Sequence, residues 1–178
     1  NKESKSIIRL KEYKIDGFQV SILPYISSYR YLSLHSILGY TLFYLNKKSI
    51  KELLKRHDIN IIHAEYILPD GVLAYLINKY FNIPYLITTH KDYKLFYKKI
   101  PRKITLKILS NAKYVTPLNY FSDNLYKQHG IKQSIVIPHG INKRFLNYNT
   151  PFEKKKTIKI LSIARLLDWK NIDRVIIA

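Results

Sequence analysis

Near its end the chain reads "IARLLDWKN", and two cations there have the types and spacing to hold one anion. Arg165 leaves what reads as a strand end, and Lys170 follows just before a helix start near Asn171. A forked guanidinium, a point ammonium and open helix-start amides can converge on a diphosphate, whose charge is spread over enough oxygens to use all three. The simpler alternative is a solvated loop, and composition alone favours it. A second group lies in "IIHAEYILPDG", where His63 and Glu65 close a short apolar run and Asp70 and Gly71 open a helix. An imidazole, a carboxylate and helix-start amides thereby gather at one sheet edge. Asp70 reads first as an N-cap. Gly71 reads as a place where a ligand or another chain approaches the backbone closely. "ITTHKDYK" repeats the arrangement, with His90 ending the next run. A lone histidine is more often structural, but one at a strand's carboxyl end in an α/β sheet is a better candidate for chemistry. His63 and His90 can meet across adjacent strands. No HxH, HExxH or carboxylate cluster at ligand spacing accompanies them, so no metal is expected.

The elements that must position these residues follow from hydrophobic patterning. Strands are expected over 18–24, 59–65, 83–90, 113–117, 133–140 and 157–164, the first being closed by Pro24. Helices are expected over about 36–56, 70–81, 101–112 and 119–130, with Pro101 suited to a helix start and Gly130 to a helix end. Apolar strands without a clean period of two, alternating with helices, are the pattern of a doubly wound parallel sheet covered on both faces. Ligands collect at the carboxyl ends of such strands, which singles out His63, Glu65, Thr89, His90, Thr116, His139, Gly140 and Arg165. The polar run "NKRFLNYNTPFEKKKTIK" reads as a boundary between two units.

Other chemistries find no support. There is no GxGxxG, no GxxxxGK[ST] and no GxSxG, which argues against hydride transfer, ATP hydrolysis and a hydrolase elbow. The 178 residues contain no cysteine, so no disulfide framework or thiolate metal site is available, and a cytoplasmic setting is expected. No apolar run is long enough to cross a bilayer. Lys and Arg number 31 against 12 Asp and Glu, a formal charge of +19, which suits an anionic partner but equally suits a coding bias toward Lys, Ile, Asn and Tyr. The absence of Met and the cut look of both ends lead us to expect an excised or incomplete reading frame.

Three segments in order, "IIHAEYILPDGVLAYLINKYFNIPYLITTH" (61–90), "IVIPHGINKRF" (135–145) and "KILSIARLLDWKNIDRVIIA" (159–178), resemble the family 4 glycosyltransferases of the GT-B fold. That resemblance implies two Rossmann-like domains facing across a cleft. Residues 1–150 would be most of the acceptor-side domain without its first strand and glycine-rich loop. Residues 151–178 would be a linker and the first strand and helix start of the nucleotide-sugar domain, the rest lying beyond this chain. It further implies a retaining transfer of a hexose-type sugar from a nucleotide-diphosphate-sugar to a lipid-linked or polysaccharide acceptor, in bacterial surface-glycan synthesis. Arg165 and Lys170 match the pair that holds the donor diphosphate, His90 the strand-end histidine over the reacting sugar, and "PHGIN" the interdomain turn with Gly140 at the cleft. His63, Glu65, Asp70, Gly71 and Lys91 fall on the cleft and acceptor side. No metal or cofactor is implied, because the nucleotide-sugar is a substrate and the cations stabilise the leaving diphosphate. Departures from the family pattern are Lys91, Asp92 and Tyr93 after the histidine, Ala164 before the arginine, and His139 and Asn142 in the turn.

The basic, aromatic first long helix could rest on anionic lipid at the inner membrane face or simply pack on the sheet. The alternative function is a basic nucleic-acid-binding α/β module, for which the charge and 16 tyrosines speak. Many of those tyrosines sit in the strand and helix pattern, and no nucleic-acid motif accompanies them. The 178-residue chain by itself is expected to be inactive, with half of the cleft missing.

Overall fold

The computed structural model describes residues 11–25, 35–90, 99–146, 161–167 and 170–177. The chain divides into two compact units, Asn1–Gly140 and Ile141–Ala178. The boundary expected at residue 150 lies outside the described residues.

The first unit opens with a hairpin, β1 (Lys11–Ile15) and β2 (Phe18–Ile22), paired antiparallel with Ile15 opposite Phe18. The sequence reading placed a single strand at 18–24 and missed β1. Its signal was present as Asp16-Gly17, whose φ values of +49° and +85° are those a two-residue hairpin turn requires. Helix α1 (His35–Arg56) follows. Arg56 grips the Glu12 carboxylate at 2.8 and 3.0 Å, and the buried Asn46 amide donates to the Pro24 carbonyl at 2.7 Å. The hairpin is therefore tied to α1 at two separate points.

Three parallel strands then run in sequence order: β3 (Ile62–Ala64), β4 (Tyr85–Thr89) and β5 (Tyr114–Pro117). Helices α2 (Val72–Phe81) and α3 (Lys99–Asn111) are the crossovers, and α4 (Tyr120–Gln128) follows β5. This is the α/β parallel architecture expected of a Rossmann-like unit. Local chemistry sets the helix ends: the Asn119 side chain caps α4 through the Ser122 amide at 2.9 Å, and Gly130 at φ +84° releases the chain after it.

Burial along β4 alternates, with Tyr85, Ile87 and Thr89 inside and Leu86 and Thr88 half-exposed. The inner row packs with Val72, Ala74, Leu76 and Ile77 of α2 and Ile108 and Leu109 of α3, while Phe43 and Ile50 bring α1 onto the same core. Each such aliphatic or aromatic side chain contributes about 1.5–3 kcal/mol on burial. The other face carries His63, Leu86, Thr88, Tyr114 and Thr116. The strand expected over 133–140 appears only as a bridge between Ser134 and Val115. Ile135 N–H bonds Val115 O and Ile137 N–H bonds Pro117 O, but Pro117 has no N–H to return the next bond, so the ladder breaks.

Tyr85, fully buried, donates its hydroxyl to the Ile108 carbonyl at 2.6 Å, and burial raises its pKa far above the ordinary phenol value. With the folded value raised, the neutral phenol's stabilisation is complete below the unfolded pKa of about 10 and declines as pH rises beyond it. Denaturant midpoints of the wild type should fall above about pH 10, and Tyr85→Phe should flatten that fall while costing about 1 kcal/mol at neutral pH. Equal slopes in the two proteins would refute the assignment.

The second unit contains a short turn at Lys143–Phe145, capped by Asn142 accepting from the Arg144 amide at 3.1 Å, and a short helix α5 (Ile172–Ile177). Of the strand expected over 157–164, residues 157–160 lie outside the described residues, and 161–164 form no strand among those described.

Candidate functional site

Parallel pairing places the ends of β3, β4 and β5 side by side, in the register Ala64 to Ile87 and Thr89 to Pro117. Glu65 and His90 each follow a strand by one residue, so they emerge together at the carboxyl edge. Glu65 Oε2 lies 3.1 Å from His90 Nε2, and its Oε1 lies 3.6 Å from His63 Nε2. The 135–137 segment, bonded along β5, delivers His139 to the same edge. Its ring centroid is 5.3 Å from that of His90, and the Tyr66 ring lies at 4.7 Å. The His90 side chain retains 20% exposure in this setting, against 56% for Glu65 and 47% for His63.

Below the edge runs a polar row. His63 Nε2 is 2.8 Å from Thr88 Oγ1, Thr88 Oγ1 is 2.9 Å from Thr116 Oγ1, and Thr116 donates to the Ile87 carbonyl at 3.1 Å. Among the described residues no group of three or more His, Asp or Glu is arranged to hold a metal ion. Glu65 is instead at hydrogen-bond distance from His90, and His63 from Thr88.

Two expectations change. Asp70 does not cap a helix: it lies in a wide turn at Ile67–Gly71, and the cap position of α2 is Gly71, with no side-chain cap. The Asp70 carboxyl takes the Tyr66 backbone N–H instead. Its pKa is raised, first by burial and then by the nearby Glu65 charge, with the Tyr66 bond opposing. Gly71 is buried, and the space beside it is filled by the chain's own core. A Cβ there would stand 3.0 Å from Ile108 Cγ2 and 3.3 Å from Ile87 Cδ1, so the glycine serves helix–sheet packing and offers no opening for a ligand. Thr89 likewise points into the core.

Gly140 has open space around it, with nothing within 4 Å of a built Cβ. Lys91 lies outside the described residues. Arg165 and Lys170 belong to the second unit, where both are exposed. The Leu167 amide bonds Arg165 O at 2.9 Å and the Lys170 amide bonds Leu167 O at 2.8 Å. Tyr66 and Thr88 went unnamed in the sequence reading. Tyr66 sits next to Glu65, and Thr88 shares a strand face with His63 across one register step, so strand pairing was the signal that could have found them.

The family model of Glycosyltransferase Family 4 matches residues 12–145. The chain belongs to Glycosyltransferase Family 4. It is also similar to an uncharacterized glycosyltransferase of Methanocaldococcus jannaschii, 29% identical over 108 residues. That match covers 56% of this chain and 28% of the archaeal protein, so the chain spans well under two thirds of its relative. No solved structure matches it significantly. Within the matched range the Family 4 chain holds the whole strand-edge cluster from His63 to His139. Arg165 and Lys170 lie beyond that range.

Proposed function

We propose that the full-length protein is a retaining glycosyltransferase that moves a hexose-type sugar from a nucleotide-diphosphate-sugar to a lipid-linked or polysaccharide acceptor in bacterial surface-glycan synthesis. The observation that carries this reading is the gathering of Glu65, His90 and His139 at the carboxyl edge of a parallel sheet in a Family 4 chain. In this reading residues 1–150 form the acceptor side and 151–178 begin the donor side. His90 lies over the reacting sugar, with His63, Glu65, Lys91 and Gly140 around the acceptor cleft. Arg165 and Lys170 hold the diphosphate and meet the negative charge that grows on it as the sugar departs, so no metal or enzymic nucleophile is required. The test is incubation of the full-length protein with labelled nucleotide-sugars and a membrane extract. Label transferred into lipid or glycan with the donor's anomeric configuration supports the proposal; donor consumption with inverted product, or no transfer with any donor, refutes it.

Peripheral attachment to an anionic membrane fits the same proposal. No described helix is long and apolar enough to cross a bilayer. The basic second half of α1 and the end of α2 instead form a surface hollow of about 780 Å³, lined by Tyr44, Leu45, Lys47, Lys48, Lys51 and Tyr80, among others. Lys47 Nζ lies 4.0 Å from the Tyr80 ring centre, and Tyr44 and Leu45 are more than half exposed. Cations beside exposed aromatic and aliphatic groups suit a headgroup layer, at about 1 kcal/mol per lysine near the surface. The triple variant K47E/K48E/K51E should therefore lose sedimentation with phosphatidylglycerol vesicles while the wild type pellets. Equal pelleting of both would exclude this face.

A further inference from the structure

Among the described residues, three main-chain bonds lay the 133–137 segment along β5: Val115 N–H to Gln133 O at 3.0 Å, Ile135 N–H to Val115 O at 2.9 Å and Ile137 N–H to Pro117 O at 3.0 Å. Burial alternates along it, with Ser134 buried and Val136 half-buried between exposed Ile135 and Ile137. A slip of one residue exchanges the two faces, but a slip of two keeps them and still meets ladder partners. Such a slip would carry His139 about 6–7 Å along the sheet. So short a ladder is weak protection against it, and the side chains at its start must supply the rest.

Gln133 has the chemistry for this. Its side-chain nitrogen lies 2.8 Å from Leu109 O and 3.2 Å from Ala112 O, and an amide NH₂ has one proton for each. Those carbonyls belong to the corner between α3 and β5. The corner is itself pinned to β4, the strand before His90, by the Lys113 N–H bond to Tyr85 O at 2.8 Å. The residues two places before and two and four places after Gln133 are Ile131, Ile135 and Ile137, none with a side-chain donor. A two-residue slip in either direction therefore brings an isoleucine to the carbonyls that Gln133 serves. In one direction it also presses Lys132 into the buried place of Ser134, which a lone ammonium cannot occupy cheaply. We infer that Gln133 is a positioning residue for His139: it sets the register of the 133–139 segment on β5, and with it the 5.3 Å approach of the His139 ring to that of His90.

The test is NMR of the 178-residue chain, reading amide exchange and the nuclear Overhauser contact between the His90 and His139 rings. The wild type should show the ring contact, and its absence overturns the inference. Gln133→Glu keeps the shape but sets carboxylate oxygens against two carbonyls. It should lose the ring contact and speed exchange at Ile135 and Ile137 about tenfold, with Ile87 and Thr89 unchanged. Gln133→Lys, whose ammonium can still donate to carbonyls at a helix end, should restore much of the wild-type pattern. A Gln133→Glu protein with the wild-type contact and exchange, or with equal acceleration at all four amides, refutes the positioning, the second outcome marking a merely structural role. If Gln133→Glu does not fold, Gln133→Asn, one methylene too short to reach both carbonyls, decides by the same criteria. The positioning stands on these contacts, and only its consequence for sugar transfer rests on the proposed function: in the full-length protein Gln133→Glu should lower kcat about 10- to 100-fold with little change in donor KM. If the NMR responds as stated and transfer does not, the strand edge has no part in transfer and the positioning by Gln133 stands.

Discussion

Sugar transfer by the full-length protein should fall about 100- to 1,000-fold in kcat when Arg165 is replaced by Ala, the loss typical of removing one preorganised donor from a site of developing negative charge. The physical reason is differential. A bound diphosphate already carries charge, but cleavage of the sugar–phosphate bond adds more, so a guanidinium aimed at those oxygens holds the transition state more strongly than the ground state. KM for the donor should rise much less than kcat falls. Arg165→Lys should recover only part of the rate, because an ammonium cannot make the planar two-pronged contact. Lys170→Ala should act in the same direction and less than additively with Arg165→Ala, since both would serve one anion. The Arg165 side chain is exposed, and the main-chain bond from the Leu167 amide to the Arg165 carbonyl survives its replacement, so Arg165→Ala is structurally benign. Steady-state kinetics on the full-length protein check this. A kcat for Arg165→Ala within about threefold of wild type would remove the diphosphate role.

The largest effect on stability is expected at Gly39. This glycine sits inside α1, where alanine ordinarily stabilises by about 0.5–1 kcal/mol. Here the sign reverses. A Cβ would stand 2.5 Å from Val72 Cβ, 2.6 Å from the Pro69 carbonyl oxygen and 2.8 Å from Val72 Cγ1. Two of those atoms belong to backbone or to the first carbon of a β-branched side chain, so no flexible tip can swing away. Overpacking of this kind costs about 1–3 kcal/mol for small additions, which exceeds the helix-propensity gain. Gly39→Ala should lower the urea midpoint by an amount equivalent to about 2 kcal/mol, and Gly39→Val by more. Gly140→Ala is the matched control, because nothing lies within 4 Å of its Cβ position and φ there is not left-handed. A Gly39→Ala protein as stable as wild type would mean that α1 and the turn before α2 can separate at little cost.

Much of the first unit was legible because its signals are local. Asn119 and Gly130 bracket α4, and the apolar runs ending at Ala64, Thr89 and Pro117 became three parallel strands. The errors have local causes too. Lys11–Ile15 looked like a polar opening because its alternating charges hid a strand that only the Asp16-Gly17 turn reveals. The run at 133–140 has strand composition, but a strand also needs a partner able to return its bonds, and Pro117 cannot. At the site, the sequence grouped His63 with Glu65 and let His63 and His90 meet across adjacent strands. It could not show that one carboxylate serves both imidazoles, because that depends on the register between β3 and β4. Gly71 was misread for the same reason: whether a glycine's open side meets a ligand or Ile108 is a tertiary fact.

β4 is hydrogen-bonded on both sides, to β3 and to β5, whereas among the described residues the segment carrying His139 is attached along β5 alone by a broken ladder. In amide hydrogen exchange the two halves of the His90–His139 pair should therefore report different clocks. The amides of Ile87 and Thr89 would exchange at the slow rate of whole-unit opening, and those of Ile135 and Ile137 through a faster local detachment. One ring is mounted on the last part of the sheet to let go, and the other on one of the first.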